Sequence, residues 1–376
     1  NIIFIYSKLI LLMKKYFLFL HKWFGLFTGI IVCIVAITGA IFCFQDEIKD
    51  ALFDYRKVEI VHQPFIKPSE IIHQVQNKNP KHVVLRVMYM DKDRSTVVMT
   101  MDDKKESYFV YVNPYSGKIL HQENMKQDFF LVIQYIHMNL LLGDIGKNII
   151  GFSTVIFIMI MISGLILWWP KKRKQTKNGL TIKYNAKWKR INYDLHNVLG
   201  FYAFSIAFIV ALSGIAFSFK PVRNSYTQIV NLGKDFPNEE KGYVYQPKKM
   251  LEDNYTIVDS AYAYSLKNSP TASMYWIYLP VPDKNPLAIR AYHKSLRYYA
   301  VDEYQFDSEQ FQVSKLMNEN LSNGKKFANS MYDIHTGQIL GLFGKIIAFT
   351  SSINVESLPI TRFIIKRKKK RKQKRK

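Results

Sequence analysis

Three long uncharged runs constrain this chain more than any other feature. Residues 16–44, YFLFLHKWFGLFTGIIVCIVAITGAIFCF, hold only His21 and Lys22 as charge-capable side chains, both in the first two turns. At about 1.5 Å per residue, this run outreaches the roughly 30 Å hydrocarbon core of a bilayer. Ile149 to Trp169 and Phe201 to Phe219 are two further uncharged runs bounded by basic or polar residues. A fourth candidate, from Gly341 to Ile365, contains Lys345, Glu356 and Arg362, each costly at mid-bilayer. Parity argues for it, because the tail that follows is KRKKKRKQKRK and should remain cytoplasmic.

Charge then sets the orientation. The chain has 53 Lys and Arg against 29 Asp and Glu, a formal net charge of +24. Four basic residues (Lys8, Lys14, Lys15 and Lys22) lie in the N-terminal flank, nine in residues 171–193 and ten in the tail, with no acid among them. The remaining 30 basic residues face all 29 acids, so the excess is topological and not a nucleic-acid signal. These segments belong on the cytoplasmic side, against the anionic inner leaflet of the bilayer. Both termini are therefore expected in the cytoplasm of a multi-pass inner-membrane protein. The first dozen residues exceed what a span needs, and Met13 followed by two lysines has the form of an ordinary start, so 1–12 are read as a start-site artefact. No small-residue cleavage site follows the first span, which reads as an uncleaved anchor.

The predicted order is a transmembrane helix over 14–44, an extracytoplasmic domain over 45–128, and an amphipathic segment with a second transmembrane helix over 129–170. A basic cytoplasmic loop over 171–193, a third helix over 194–219, a second extracytoplasmic domain over 220–334, a fourth helix over 335–365 and a tail over 366–376 complete it. In the first outside domain, KPSEIIHQVQNKNP reads as a helix, and HVVLRVMYM, STVVMTM and SYFVYV as strands closed by the turn NPYSG before KIL. The second carries SMYWIYLPV, LAIRAYH and RYYAVDEYQF, with a helix that is harder to place. Both read as small α+β modules.

The spans also repeat. A shift of 175 aligns His21–Phe44 on His196–Phe219 without a gap, with nine of 24 residues identical, among them His21/His196, Gly25/Gly200 and Gly39/Gly214. A shift of 198 pairs His137 with His335, Gly143 with Gly341, Gly146 with Gly344 and Lys147 with Lys345. The expected architecture is a 2+2 duplication of helix, outside domain, helix, and repeats of this kind place sites between halves.

Depth pairs the four repeated histidines. His21 and His196 open helices that start inside; His137 and His335 precede helices that start outside. Two histidines at one depth, on helices of different halves, can supply both axial imidazoles of a haem iron. Gly25 and Gly200, four residues beyond their histidines, would let a porphyrin approach the backbone. Thr38, Gly39, Ser213 and Gly214 fall level with the outer pair, and Ser163 and Gly164 level with the inner pair. A mononuclear metal competes at the outer level, where Asp144 and Asp333 are near, whereas only Asp194 is near the inner pair. His62, His73, His82, His121 and His293 read as surface or local structural residues. Cys33 and Cys43 are ten residues apart on one helix, about 15 Å along its axis and too far to bridge. Neither has a CxxCH context, so any haem is expected to be of the non-covalent b type, two b-type haems if each pair holds one.

HKWFGL, PFIKPSEIIHQV, YVNPYSGKIL, IHMNLLLGDIG, SGLILWWPKKRK, DLHNVLGFY and IHTGQILGLFG resemble the PepSY-associated transmembrane family, from Lys14 to Lys366. That family includes iron-regulated inner-membrane proteins and ferric-siderophore reductases. The resemblance implies PepSY-like outside modules and haem ligation by His21, His137, His196 and His335. It also implies electron transfer across the membrane to a ferric siderophore or other ferric chelate outside, released as ferrous iron. Catalysis then needs no side chain beyond those holding the iron. The departures lie in the fourth helix, where Arg362 replaces the glycine matching Gly164, Glu356 intrudes and no Trp pair precedes the basic tail. The longest cytoplasmic loop, about 23 residues, carries no nucleotide fingerprint, so the electron donor is expected to be a quinol or a separate cytoplasmic flavin reductase. The alternatives are a non-enzymatic PepSY-domain sensor or protease regulator, and a transporter with an ionisable site at Glu356.

Overall fold

The computed structural model describes residues 2–170, 173–233, 255–280, 286–306 and 313–373; the basic positions 171–172 and 374–376 and residues 234–254 of the second inter-helix segment lie outside them. In chain order the main elements are α1 (Ile2–Cys43), α2 (Gln45–Leu52), α3 (Pro68–Lys78), β1 (Val83–Tyr89), β2 (Thr96–Met101), β3 (Ser107–Val112) and β4 (Ile119–Asn124). They continue with α4 (Phe129–Asn139), α5 (Gly143–Trp168), α6 (Arg173–Leu180), α7 (Trp188–Ser218), α8 (Lys220–Val230) and α9 (Thr256–Asn268). The last are β5 (Met274–Tyr278), β6 (Leu287–Lys294), β7 (Arg297–Phe306), β8 (Val313–Leu316), α10 (Asn323–His335) and α11 (Gly341–Gln373). The chain divides into two compact units, Asn1–Phe44, Ile133–Arg223 and Ile334–Lys376 in one, Gln45–Val132 and Asn224–Asp333 in the other.

The first unit is helical. Four stretches, Leu12–Cys43, Gly143–Trp168, Trp188–Ser218 and Gln338–Arg362, are long and apolar enough to cross a membrane. Backbone polar groups have no water to meet in hydrocarbon, so a spanning segment must satisfy them within its own helix. α7 begins 13 residues before the uncharged run at Phe201, because residues 188–200 form an amphipathic turn series that buries Asn192, Asp194 and Val198. Asp194 pairs with Arg190 one turn earlier at 2.8 Å. The closest neighbours around the bundle are α1 with α5, α5 with α7, α7 with α11 and α11 with α1. α1 and α7 therefore stand diagonally opposite, as do α5 and α11. Small residues permit the close approach: Ala203, Ala207 and Ala211 form a buried stripe on α7, and Val355 of α11 packs on its first two members.

Tight turns precede α5 and α11. Gly143 and Gly341 adopt positive φ (58° and 66°), where a side chain is strained. Three residues further on, Gly146 and Gly344 sit directly against the backbone carbonyls of Asn139 and Gly337, leaving no room for a Cβ. The paired glycines of the sequence repeat thus fold each histidine-bearing helix end back onto the start of the next helix.

The second unit is an eight-stranded antiparallel sheet, ordered β4-β3-β2-β1-β5-β6-β7-β8. The sequence reading treats the two inter-helix segments as separate modules, whereas their strands form one sheet. Each segment contributes a helix followed by four strands, and β1 pairs with β5 from Arg86 opposite Tyr278 to Tyr89 opposite Tyr275. The reason is edge chemistry: β1 and β5 would each expose a row of unpaired backbone groups if the segments stood apart. α3 and α9 cover the same face, and one core joins Ile71, Ile72 and Val75 to Val87, Val98, Val110, Ile277, Ile289 and Tyr262. Tyr89 of β1 stacks on Tyr262 of α9 at 4.7 Å, and Ser69 donates its N–H and hydroxyl to Asp259 at 2.9 and 2.6 Å. The NPYSG turn forms as read, with Asn113 Oδ1 accepting the Tyr115 N–H at 2.9 Å.

Candidate functional site

The bundle brings the four repeated histidines together in the two pairs expected from depth. His21 on α1 and His196 on α7 have ring centroids 6.2 Å apart; His137 at the end of α4 and His335 at the end of α10 are 5.9 Å apart. The inner pair crosses the bundle between the diagonal helices α1 and α7, and the outer pair lies on the helix ends that lead into α5 and α11. His137 is placed by the α4–α5 turn, which returns it to the level of Val35 and Thr38 on α1.

Every one of these rings is anchored through Nδ1 by a spanning helix. His21 Nδ1 lies 3.1 Å from both the Ile160 carbonyl and Ser163 Oγ on α5. His137 Nδ1 lies 2.9 Å from the Val35 carbonyl and 3.3 Å from Thr38 Oγ1 on α1. His335 Nδ1 lies 3.0 Å from the Val210 carbonyl and 3.0 Å from Ser213 Oγ on α7. His196 Nδ1 meets Thr361 Oγ1 on α11 at 3.0 Å, with the Leu358 carbonyl as a weaker second acceptor.

These contacts decide the tautomer. A carbonyl only accepts, so Nδ1 carries the proton in His21, His137 and His335. At His196 the deduction runs through the hydroxyl: Thr361 donates its own proton to the Leu358 carbonyl at 2.9 Å, so it accepts from His196. All four Nε2 atoms are left with a lone pair, the state of a metal-ligating imidazole whose other nitrogen is held by an outer partner.

Glycines make room for three of the rings. A Cβ built on Gly39 would stand 2.9 Å from His137 Cε1, one on Gly214 3.2 Å from His335 Cε1, and one on Gly164 3.1 Å from His21 Cε1. These residues and their neighbouring hydroxyls, read from sequence as small residues at cofactor depth, act directly on the histidines. Thr361 is absent from the sequence candidates; the shift of 198 that pairs His137 with His335 also pairs Ser163 with Thr361 and is the signal that finds it. Of the two glycines expected to admit a porphyrin, Gly25 faces open space with nothing within 4 Å of a built Cβ, while Gly200 has the Leu358 side chain at 3.7 Å.

The pair spacing fits one metal between two imidazoles. With ring nitrogens about 2 Å from a shared ion on opposite sides, the centroids stand about 6 Å apart. Rotation of a ring about its own metal–nitrogen bond leaves that spacing unchanged, so ring planes at 88° and 64° are compatible with it. Two imidazoles do not complete a coordination sphere. Among the described residues no group of three or more His, Cys, Asp or Glu side chains gathers to do so. Asp144 is exposed on its turn, and the buried Asp333 carboxylate accepts the Tyr298 N–H at 2.8 Å. Asp194 is taken up by Arg190 and the Lys183 N–H. The donor set suits a planar tetrapyrrole that brings its own four nitrogens.

The remaining histidines serve the sheet unit. His82 Nδ1 meets Thr100, His293 bridges Thr271 and Asp302, His121 stacks on Tyr55 at 4.0 Å, His73 packs edge-on to Tyr255, and His62 is exposed. Cys33 and Cys43 form no disulfide, and their thiols donate to carbonyls of Glu356 and of Thr336 and Lys345.

No curated protein matches the chain significantly. The family model for the PepSY-associated TM region matches residues 18–369, which takes in all four histidines, three whole spans and most of the first. This multi-pass membrane chain therefore belongs to the PepSY-associated transmembrane family.

Proposed function

We propose that the chain is a dihaem electron-transfer protein that reduces a ferric siderophore or other ferric chelate, with His21 and His196 holding one b-type haem and His137 and His335 the other. The observation that carries this reading is the doubled pair of imidazoles, 6.2 and 5.9 Å apart, each with Nδ1 tied down and Nε2 free. What a b haem supplies between such ligands is reversible one-electron transfer at its iron.

The chain's own residues orient and tune. Thr38, Ser163, Ser213 and Thr361 with their neighbouring carbonyls fix each ring's rotation and tautomer, and an Nδ1–H held by an oxygen makes Nε2 a more basic donor. The common arrangement supports a duplicated 2+2 unit: Thr38 and Ser213 correspond under the shift of 175, and Ser163 and Thr361 under the shift of 198. The two helix-plus-four-strand segments are read as PepSY-like. The basic flanks support a topology with both termini in the cytoplasm of an inner membrane, and in that topology His21 and His196 are on the donor side and His137 and His335 on the side where a chelate arrives. A quinol or cytoplasmic flavin reductase supplies the electron. The chelate iron accepts it and leaves as Fe(II).

The purified chain is expected to be red, with a reduced b-type spectrum and two haems per protein. His137→Ala or His335→Ala should remove one haem and leave the other, as should His21→Ala or His196→Ala. A colourless preparation from haem-replete cells sinks the reading, and full haem content in all four variants overturns the ligand assignment.

A further inference from the structure

We propose that Arg362 binds a carboxylate of the tetrapyrrole held by His21 and His196, so that the inner pair, unlike the outer one, selects a haem with free propionates; this rests on the bis-histidine reading above. The hydroxyl residue that holds each histidine is followed by glycine in three helices, Thr38-Gly39, Ser163-Gly164 and Ser213-Gly214, and by arginine in the fourth, Thr361-Arg362. At the three glycines the missing Cβ gives the ring edge its place. α11 gives up that space, and His196 is the one ring of the four whose second acceptor, the Leu358 carbonyl, is weak. An arginine where the other three helices carry glycine calls for a use of that side chain.

The guanidinium is half-buried at the end of the span, and its charge reaches both His21 and His196. Among the described residues no acidic side chain neutralises it. A desolvated cation without a counter-ion is costly and is retained where an anion meets it. Arginine is the side chain whose planar fork takes a carboxylate through two parallel hydrogen bonds. Arg362 directly follows Thr361, whose hydroxyl holds His196 at 3.0 Å, so the cation stands beside the inner site, and haem carries two carboxylates. The outer pair is flanked by Gly39 and Gly214 at the matching positions and gains no such cation from them.

The test uses the full chain, depleted of haem in detergent, and titrated with haem and with haem dimethyl ester, in which both carboxylates are blocked. A His335→Ala background leaves the inner pair intact; a His196→Ala background leaves the outer pair. With the inner pair, Arg362→Gln should weaken haem at least tenfold and leave the diester unchanged, while Arg362→Lys recovers part of the loss. With the outer pair, Arg362→Gln should alter neither. Unchanged haem affinity, which an arginine held by lipid phosphate would give, overturns the proposal, as does equal weakening of haem and diester. If neither titrant binds in either background, the bis-histidine reading itself has failed, whereas normal diester and haem binding indifferent to Arg362 refutes only the role given to that residue.

Discussion

Gly39→Ala isolates the anchoring of one histidine from the stability of the fold. The added methyl would stand 2.9 Å from His137 Cε1 and 3.3 Å from Nδ1. Ordinary carbon contacts begin near 3.5 Å, so the ring must retreat by about 0.5 Å. That retreat stretches the Nδ1–H bond to the Val35 carbonyl from 2.9 Å to about 3.4 Å, where most of its net worth of about 1 kcal/mol is lost. Disturbing the outer partner of a metal-ligating histidine typically costs 10–100-fold in affinity. Alanine is a better helix former than glycine by about 1 kcal/mol, so thermal unfolding should not fall. The expected result is a protein with an unchanged melting temperature, roughly one haem in place of two after dilution, and an unaltered inner-haem spectrum. Haem quantified by the pyridine haemochrome, against protein mass, reads this directly. Two haems retained with an unchanged spectrum would refute the claim that Gly39 exists to admit the His137 ring.

Gly25→Ala disturbs no protein contact, since nothing lies within 4 Å of the new Cβ; loss of the inner haem at constant melting temperature would show that a tetrapyrrole uses that space, and unchanged haem content would show that it does not. Thr361→Val should cost the inner haem more than Ser213→Ala costs the outer one, because His335 keeps the Val210 carbonyl at 3.0 Å while His196 keeps only the weaker Leu358 carbonyl; equal dissociation rates in the two variants contradict this. In the sheet unit, Asp50 joins Arg56 at 2.7 Å and also pairs with Arg94, all three side chains being largely buried. Asp50→Asn should lower unfolding stability by about 3 kcal/mol, measured by denaturant titration. Burial pushes the Asp50 carboxyl up, but hydrogen bonds and charge from Arg94 and Arg56 outweigh it and hold the group below the usual carboxylate range. Its contribution is therefore complete above the unfolded value of about 3.9 and disappears as the pH falls through the lower folded value. A wild-type acid-unfolding midpoint identical to that of Asp50→Asn would exclude this role.

Local periodicity made much of the fold legible before any contact was known. RYYAVDEYQF coincides with β7, and the helix begun by KPSEII appears as α3, with Pro68 at its first turn and Ile71, Ile72 and Val75 turned to the core. β8, four residues of VSKL, is too short and polar to announce itself. The helix of the second segment, α9, carries little sequence asymmetry and emerges only through its packing with α3. At the site, the histidine pairs and the depth of Thr38, Ser163 and Ser213 could be anticipated, while the hydrogen bonds from the histidines to these hydroxyls could not. A Ser or Thr in a spanning helix ordinarily bonds back to its own helix, and these three and Thr361 do so as well as accepting a histidine.

Distance along the chain thus determined how many times it can cross a bilayer and at which level each histidine falls, because both follow from rise per residue and from the placement of charge. Tertiary structure decided which helices stand diagonally, which imidazole nitrogen is left free, and that strands from two separated segments share one sheet. Those outcomes depend on contacts between residues more than a hundred positions apart, such as His21 with Ser163 and Arg86 with Tyr278, and no local pattern encodes such a contact.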